Sequence, residues 1–430
     1  LNYLQFVRKN RVMVIFGIIM TALSSFGQTF LLAMYVPFLM EEFKLSNGLL
    51  STFYGLATIG AAVALPKLGK LIDSVPLPRF TLATTATFVI SLFFLSISQA
   101  WWYILIAFFG LRLAGQGLYN HIAITTMSRY FEENRGKAIS LASLGHPLGQ
   151  AVLPAIILIV IANIGWRESL WLNAALVSMV VTVFTLLVLK PEHLVSESGE
   201  VVVTDSDEKK VDRVRQRDIM KSKPFWLLAP NIFFIPFAVT GLFFYQFAII
   251  DFKGWNIGLA AAGLTSYAVA SFLSILLSGP LIDKYKAKTF FPFYLFPLMV
   301  ALLIIWMIPN VWGIFVYNIL MGFSVGFGSA TVAALQVEFF GQTYIGTVRS
   351  LFTSIMVLSS AIGPALFGIF LDLGWGFQTI FPVILGIQVL IMVQSFRAVP
   401  KHSWAKWKYK YKKVTGKKRK SPNLRIGDRF

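Results

Sequence analysis

One arginine of this chain stands where a charge could do chemistry by itself. Arg112 falls within an apolar run over 101–128, about eleven residues in and so about 16 Å from the run's start at the helical rise. All 19 Asp and Glu residues fall in loops or at the ends of apolar runs, so no deep carboxylate is available to neutralise it. A buried guanidinium must then be satisfied by backbone carbonyls, by water or by an anion. Its planar fork is suited to gripping a carboxylate through two parallel hydrogen bonds. Two readings stand open: Arg112 binds a small organic anion, or it is a structural arginine held by helix carbonyls or water.

Other polar residues on apolar runs supply candidates for the same site. At 100° per residue, Gln116 and Tyr119 lie within about 40° of Arg112 and form one stripe with it, while His121 falls opposite and is expected to pack on another helix. His146 and Gln150 share a face. Gln28 shares one with Thr21, Ser24 and Tyr35, and Tyr54 shares one with Thr58. Tyr267 heads a series with Ser271, Ser274 and Ser278; Asn318 aligns with Gly322, Ser329 and Gln336; Tyr245 stands beside Gln246. The candidate substrate contacts are therefore Arg112, Gln116, Tyr119, Gln28, Tyr54, His146, Gln150, Tyr245, Tyr267 and Asn318. For any single Ser or Thr, a helix–helix hydrogen bond is the plainer reading.

His146 is the one candidate that changes charge near neutral pH. Protonated beside Arg112, it would strengthen an anion site and allow H⁺ to travel with a monocarboxylate; exchange and facilitated diffusion remain open modes. No Walker A loop occurs. No cofactor or metal is expected: cysteine is absent, and no paired carboxylates or His cluster lie inside a run. An enzyme is not expected. A membrane sensor would need a folded soluble domain, for which the longest interior polar stretch, 191–223, is too short.

The elements that must position these residues follow from composition. Of 430 residues, 57% are hydrophobic and 13% charged, against a net charge of +19; soluble domains carry about 25% charged residues. A membrane-spanning helix needs about 20 apolar residues, and twelve such runs occur, over 11–40, 47–72, 79–98, 101–128, 137–162, 168–190, 225–250, 258–282, 288–308, 311–337, 346–371 and 376–396. The first is too long for a cleaved signal peptide and reads as a retained span. With the N-terminus inside, the outer segments carry only Lys44, Arg167 and Lys253 of the 38 basic residues. The positive-inside rule then puts both termini in the cytoplasm of a multi-pass plasma (inner) membrane protein.

The two sides of the 191–223 loop repeat each other. Gly69-Lys-Leu-Ile-Asp73 and Gly279-Pro-Leu-Ile-Asp283 stand 210 residues apart, Gly115-Gln-Gly117 and Gly326-Phe-Gly328 211, and Gly136 and Gly346 210. Six spans return the chain to its starting side, so the halves are parallel repeats. The organisation expected is an N-terminal six-helix bundle (1–190), a central loop (191–223), a C-terminal bundle (224–396) and a basic tail (397–430).

On the paired Gly-x-Leu-Ile-Asp segments, Arg112-x-x-Gly115-x-Gly117, and Gly145-His-Pro-Leu-Gly149 through Pro154, the sequence over 11–396 resembles the major facilitator superfamily. Phe26-Gly-Gln-Thr29 and Tyr130-Phe131…Arg135-Gly136 resemble bacterial members near the monocarboxylate and oxalate/formate carriers. The resemblance implies an all-α membrane protein of twelve helices in two six-helix bundles, moving a small solute by alternating access. It also implies a gate in which Asp73 and Asp283, after the packing glycines Gly69 and Gly279, hold a neighbouring helix end and an arginine, with Arg129, Arg135 and Arg349 as candidates. The loop after span two departs from the family, with Ser74, Pro76, Leu77 and Pro78 ahead of Arg79. The alternative cargo is a drug or other amphipathic solute, since 40 Phe and 14 Tyr could line an apolar cavity. The chain is expected to act as a monomer. Its basic tail is expected to meet anionic lipid headgroups, and not nucleic acid.

Overall fold

The computed structural model describes residues 3–131, 134–189, 216–256, 258–340 and 345–397. Residues 190–215 of the central loop and the basic tail beyond 397 lie outside the described residues. Everything described is helix, turn or short connection. In hydrocarbon only a helix satisfies its own backbone within one segment, and each of the twelve predicted runs forms one span. Among the described residues, nine are helices long and apolar enough to cross a bilayer by length and composition. Span one, span four and the short span nine (Phe296–Met307) complete the set.

Spans one and four are irregular, and they are irregular together. Span one runs as Arg11–Leu23, tightens into a 3₁₀ turn at Ser24–Gly27, breaks at Gln28 (φ −87°, ψ 153°), and resumes as Thr29–Leu32 and Val36–Phe43. Span four runs as Trp101–Gly110, a π-helical stretch Leu111–Tyr119, and Asn120–Tyr130. The two irregular stretches touch backbone to backbone: a Cβ on Gly27 would stand 2.3 Å from the Leu111 carbonyl oxygen and 2.6 Å from the Gln116 nitrogen. Glycine is required there by contact, not by a turn.

Each half closes on its own seams. Spans three and six pair in the first half, eight and ten in the second. A Cβ on Gly322 would meet the Tyr267 carbonyl at 2.3 Å, and one on Gly326 the Ser274 hydroxyl at 2.1 Å. Small residues let helices approach closely in lipid, so the expected polar face from Tyr267 to Ser278 is largely a packing seam with span ten. The halves meet through span two (Asn47–Gly69) against span eleven (Ile345–Asp372), span five (Gly145–Ile164) against span eight (Gly258–Tyr285), and span one against span seven (Lys223–Phe244).

One membrane face, the basic face, carries Lys67, Arg79, Arg129, Arg135, Lys284 and Arg349 at helix ends and connections. At the opposite, far face the three exceptional cations all serve helix C-termini. Lys44 is the left-handed residue (φ 50°) that ends Val36–Phe43. Arg167 donates to the carbonyls of Ser96 and Ser98, pairs with Glu42, and lies 4.4 Å over the Trp166 ring. Lys253 donates to the carbonyls of Trp306 (3.0 Å) and Ile308 (3.2 Å); partial burial pushes its ammonium below the ordinary lysine range. The carbonyls capped are repeat partners 210 residues apart, whereas the cations come from different loops. Cations there satisfy orphan carbonyls and the negative end of the helix dipole.

Candidate functional site

Arg112 is 2% exposed, at the meeting of spans one, two and four. Its Nε donates to Thr58 Oγ1 (3.1 Å) and its Nη1 to the Gly27 carbonyl (3.2 Å). The guanidinium lies 5.0 Å from the centre of the Tyr54 ring, a cation–π geometry. Thr58 in turn donates to the Tyr54 carbonyl (2.8 Å), and the Tyr54 hydroxyl shares a hydrogen bond with Thr29 (2.5 Å). Of the five N–H donors an arginine carries, two are thus engaged by described protein atoms, and neither acceptor is a carboxylate. The break of span one gives Arg112 its carbonyl, and the apolar walls of Phe108 and Phe244 around Tyr54 keep the surroundings of low dielectric.

A layer of aromatic rings lies on the far side of this cation. Tyr54 touches Phe244 (5.0 Å between centroids), Phe30 touches Phe243 (6.5 Å), and Phe243 touches Tyr267 (4.9 Å). These pairs join spans one and two to spans seven and eight. Counting the helical rise, Tyr54 lies about 10 Å from the far end of span two and Thr58 about 16 Å. Among the described residues, every hydrogen bond between the halves lies in the middle or toward the far face: Tyr245 Oη to the Asn47 carbonyl (3.0 Å), Gln246 Nε2 to the Phe30 carbonyl (3.2 Å), Thr265 Oγ1 to the Ala151 carbonyl (2.7 Å), and Asp372 to two amides of span two. The far mouth is shut.

The residues expected to line the site are partly brought together. Gln28 is the half-buried residue of the span-one break, next to Gly27, and Gln116 is half-buried where span four meets that break. His146 packs against Phe30 (6.3 Å), and its buried Nδ1 has no hydrogen-bond partner among the described residues. Gln150 is buried one turn further along span five. Tyr267 belongs to the aromatic layer.

Three candidates stand elsewhere. Tyr119 points away: its hydroxyl donates to Thr85 of span three (2.9 Å), with its ring edge-on to Phe88. A π-helical turn holds more residues than an α-turn, so the 100° projection that put Tyr119 beside Arg112 does not apply to 111–119. Tyr245 belongs to the closed far mouth. Asn318 donates to the Ile314 carbonyl (2.8 Å) and lines, with Phe243, Gln246 and Tyr317, a small cavity in the second half. The sequence reading noted Gly27 and Thr29 only as part of the Phe26-Gly-Gln-Thr29 motif and did not place them at the site; the cluster Ser24-Ser25-Phe26-Gly27-Gln28-Thr29 within an apolar run was the available signal.

On the basic face, His121 Nε2 meets the Gly69 carbonyl (3.1 Å), so His121 packs against span two, another helix, as expected. Arg129 Nη1 donates to the Ile72 carbonyl (3.1 Å), at the end of span two, and Arg349 is exposed. The side chains of Asp73, Arg135 and Asp283, and the packing at Gly279, lie outside the described residues.

Two six-helix halves around a buried cation, closed on one membrane face, define a membrane carrier. The sequence pattern of the Major Facilitator Superfamily matches residues 17–266 and 254–420, and the chain belongs to that family; it is a transporter, not an enzyme. A search of curated proteins found no match. Among solved structures, the chain is similar to a mutant of the nucleoside transporter NupG, with a TM-score of 0.72 at 13% identity, over 91% of this chain and 100% of that one. At that identity the likeness shows the fold.

Proposed function

We propose that the protein is a secondary active transporter that moves a small organic anion, a monocarboxylate in the first instance, by alternating access. The observation that carries this reading is Arg112: a deep guanidinium with donors left over and no acidic partner among the described residues. An anion that brings its own carboxylate supplies what the protein withholds. His146, near Phe30 and with no partner at Nδ1 among the described residues, is the group that couples a proton to that anion. A place near the monocarboxylate and oxalate/formate carriers fits this cargo. The basic face is cytoplasmic, the halves 1–190 and 224–396 move as a monomer in the inner membrane, and the tail 397–430 bears on anionic headgroups. On the basic face the loop after span two, with Arg129 on the Ile72 carbonyl, works as the gate.

A second reading, export of amphipathic solutes, draws on the aromatic layer of Phe30, Tyr54, Phe243, Phe244 and Tyr267, which suits a flat apolar solute. One experiment separates the two. Purified protein in proteoliposomes is assayed for carboxylate uptake and for efflux of hydrophobic cations, with and without Arg112→Ala. Loss of saturable carboxylate uptake in a folded variant is expected. Carboxylate uptake at the unmodified rate would overturn the anion assignment, and efflux retained in the variant would favour the exporter.

A further inference from the structure

The far mouth is closed by a contact that the cargo site does not use. The first four amides of a helix have no acceptor within it. At the start of span two, Leu49 donates to the Ser46 hydroxyl (3.2 Å) and Leu50 to the Ser46 carbonyl (3.1 Å), both local. The other two amides are satisfied from the opposite half. Asp372, the last residue of span eleven, accepts the Asn47 N–H on Oδ1 (3.1 Å) and the Gly48 N–H on Oδ2 (2.8 Å). Its negative charge also sits at the positive end of the helix dipole. Gly48 permits the approach, since a Cβ there would stand 2.7 Å from Asp372 Oδ2.

We propose that Asp372 is the latch of the far mouth: a helix cap supplied in trans, which is released when that side opens. The carboxylate is exposed at the rim, so water can replace its partners. The contact therefore biases the equilibrium toward the far-closed state without locking it. Asn47 adds a second tie through its carbonyl, which accepts from Tyr245 Oη. The proposal rests on alternating access but not on the identity of the cargo.

The chain contains no cysteine, so spin labels can be placed without first removing native thiols. Glu41→Cys with Trp312→Cys spans the far face, and Lys67→Cys with Tyr285→Cys the basic face, all four positions being exposed. Distance distributions are read in lipid nanodiscs. Asp372→Asn is expected to raise the long-distance far-face population about tenfold, the scale of losing a charge-assisted cap, with the basic-face pair shortening in parallel. Asn47→Pro removes one of the two amides at a position where helices tolerate proline, and is expected to shift both pairs the same way by less. Should Asp372→Asn fail to fold, Asn47→Pro decides alone. Two populations on both faces, unchanged by either variant, would overturn the latch while leaving alternating access intact. A far-face change with no basic-face response would reduce the contact to local fraying of span two. A single invariant population in every sample would overturn alternating access and the latch with it.

Discussion

Arg112 and Gly27, 85 residues apart, are joined by one hydrogen bond, from the guanidinium Nη1 to the carbonyl. That bond links the π-helical part of span four to the break in span one. The extended Gln28 interrupts the helical ladder there, and the arginine supplies a donor to the carbonyl just before it. The same cation is thus both a support for the break and the group with donors left for an anion.

Those two roles separate by substitution. Arg112→Ala strands the Gly27 carbonyl and is expected to destabilise the protein by about 1–3 kcal/mol, read as thermal unfolding in detergent. Arg112→Lys keeps a cation but loses the fork, so carboxylate affinity should fall by about tenfold or more while much of the stability returns. A lysine variant that transports normally would assign Arg112 to support alone.

Thr58→Val keeps shape and removes the acceptor for Arg112 Nε. We expect a stability loss of about 1 kcal/mol and a weaker KM with a smaller change in kcat; Thr58→Ser should restore both. Kinetics identical to the unmodified protein in the valine variant would show that Arg112 holds its place without it.

Gly27→Ala is expected to abolish folded protein or to shift spans one and four apart, because the new methyl would stand within 3 Å of three span-four backbone atoms. Detergent extraction followed by size-exclusion chromatography reads the outcome, and a monodisperse, fully active variant would contradict the contact.

If His146 carries the coupled proton, an inward pH gradient should accelerate carboxylate uptake, and His146→Gln should abolish that acceleration while leaving exchange in place. Equal rates with and without the gradient would remove proton coupling from the mechanism.

Asp73→Asn should lower transport several-fold while membrane abundance stays unchanged, if the loop after span two gates the basic face. An unaltered rate would count against that role.

The twelve spans, the 210-residue repeat and the depth of Arg112 were legible in the residues alone. Each follows from local hydrophobicity and from a solvent in which backbone must be helical. A deep cation with no deep acid is likewise a statement about composition along the chain. The arrangement around that cation was not legible. Tyr119 turned toward Thr85 because span four winds as a π-helix where it meets span one, and Ser274 of span eight faced span ten because Gly322 and Gly326 let the two helices close. Asp372 reads as an ordinary acidic residue at a helix end until span two arrives against it from the other half. Periodicity assumes a regular helix with a uniform environment; which backbone touches which, and whose amide lacks a partner, is decided only when the two halves pack.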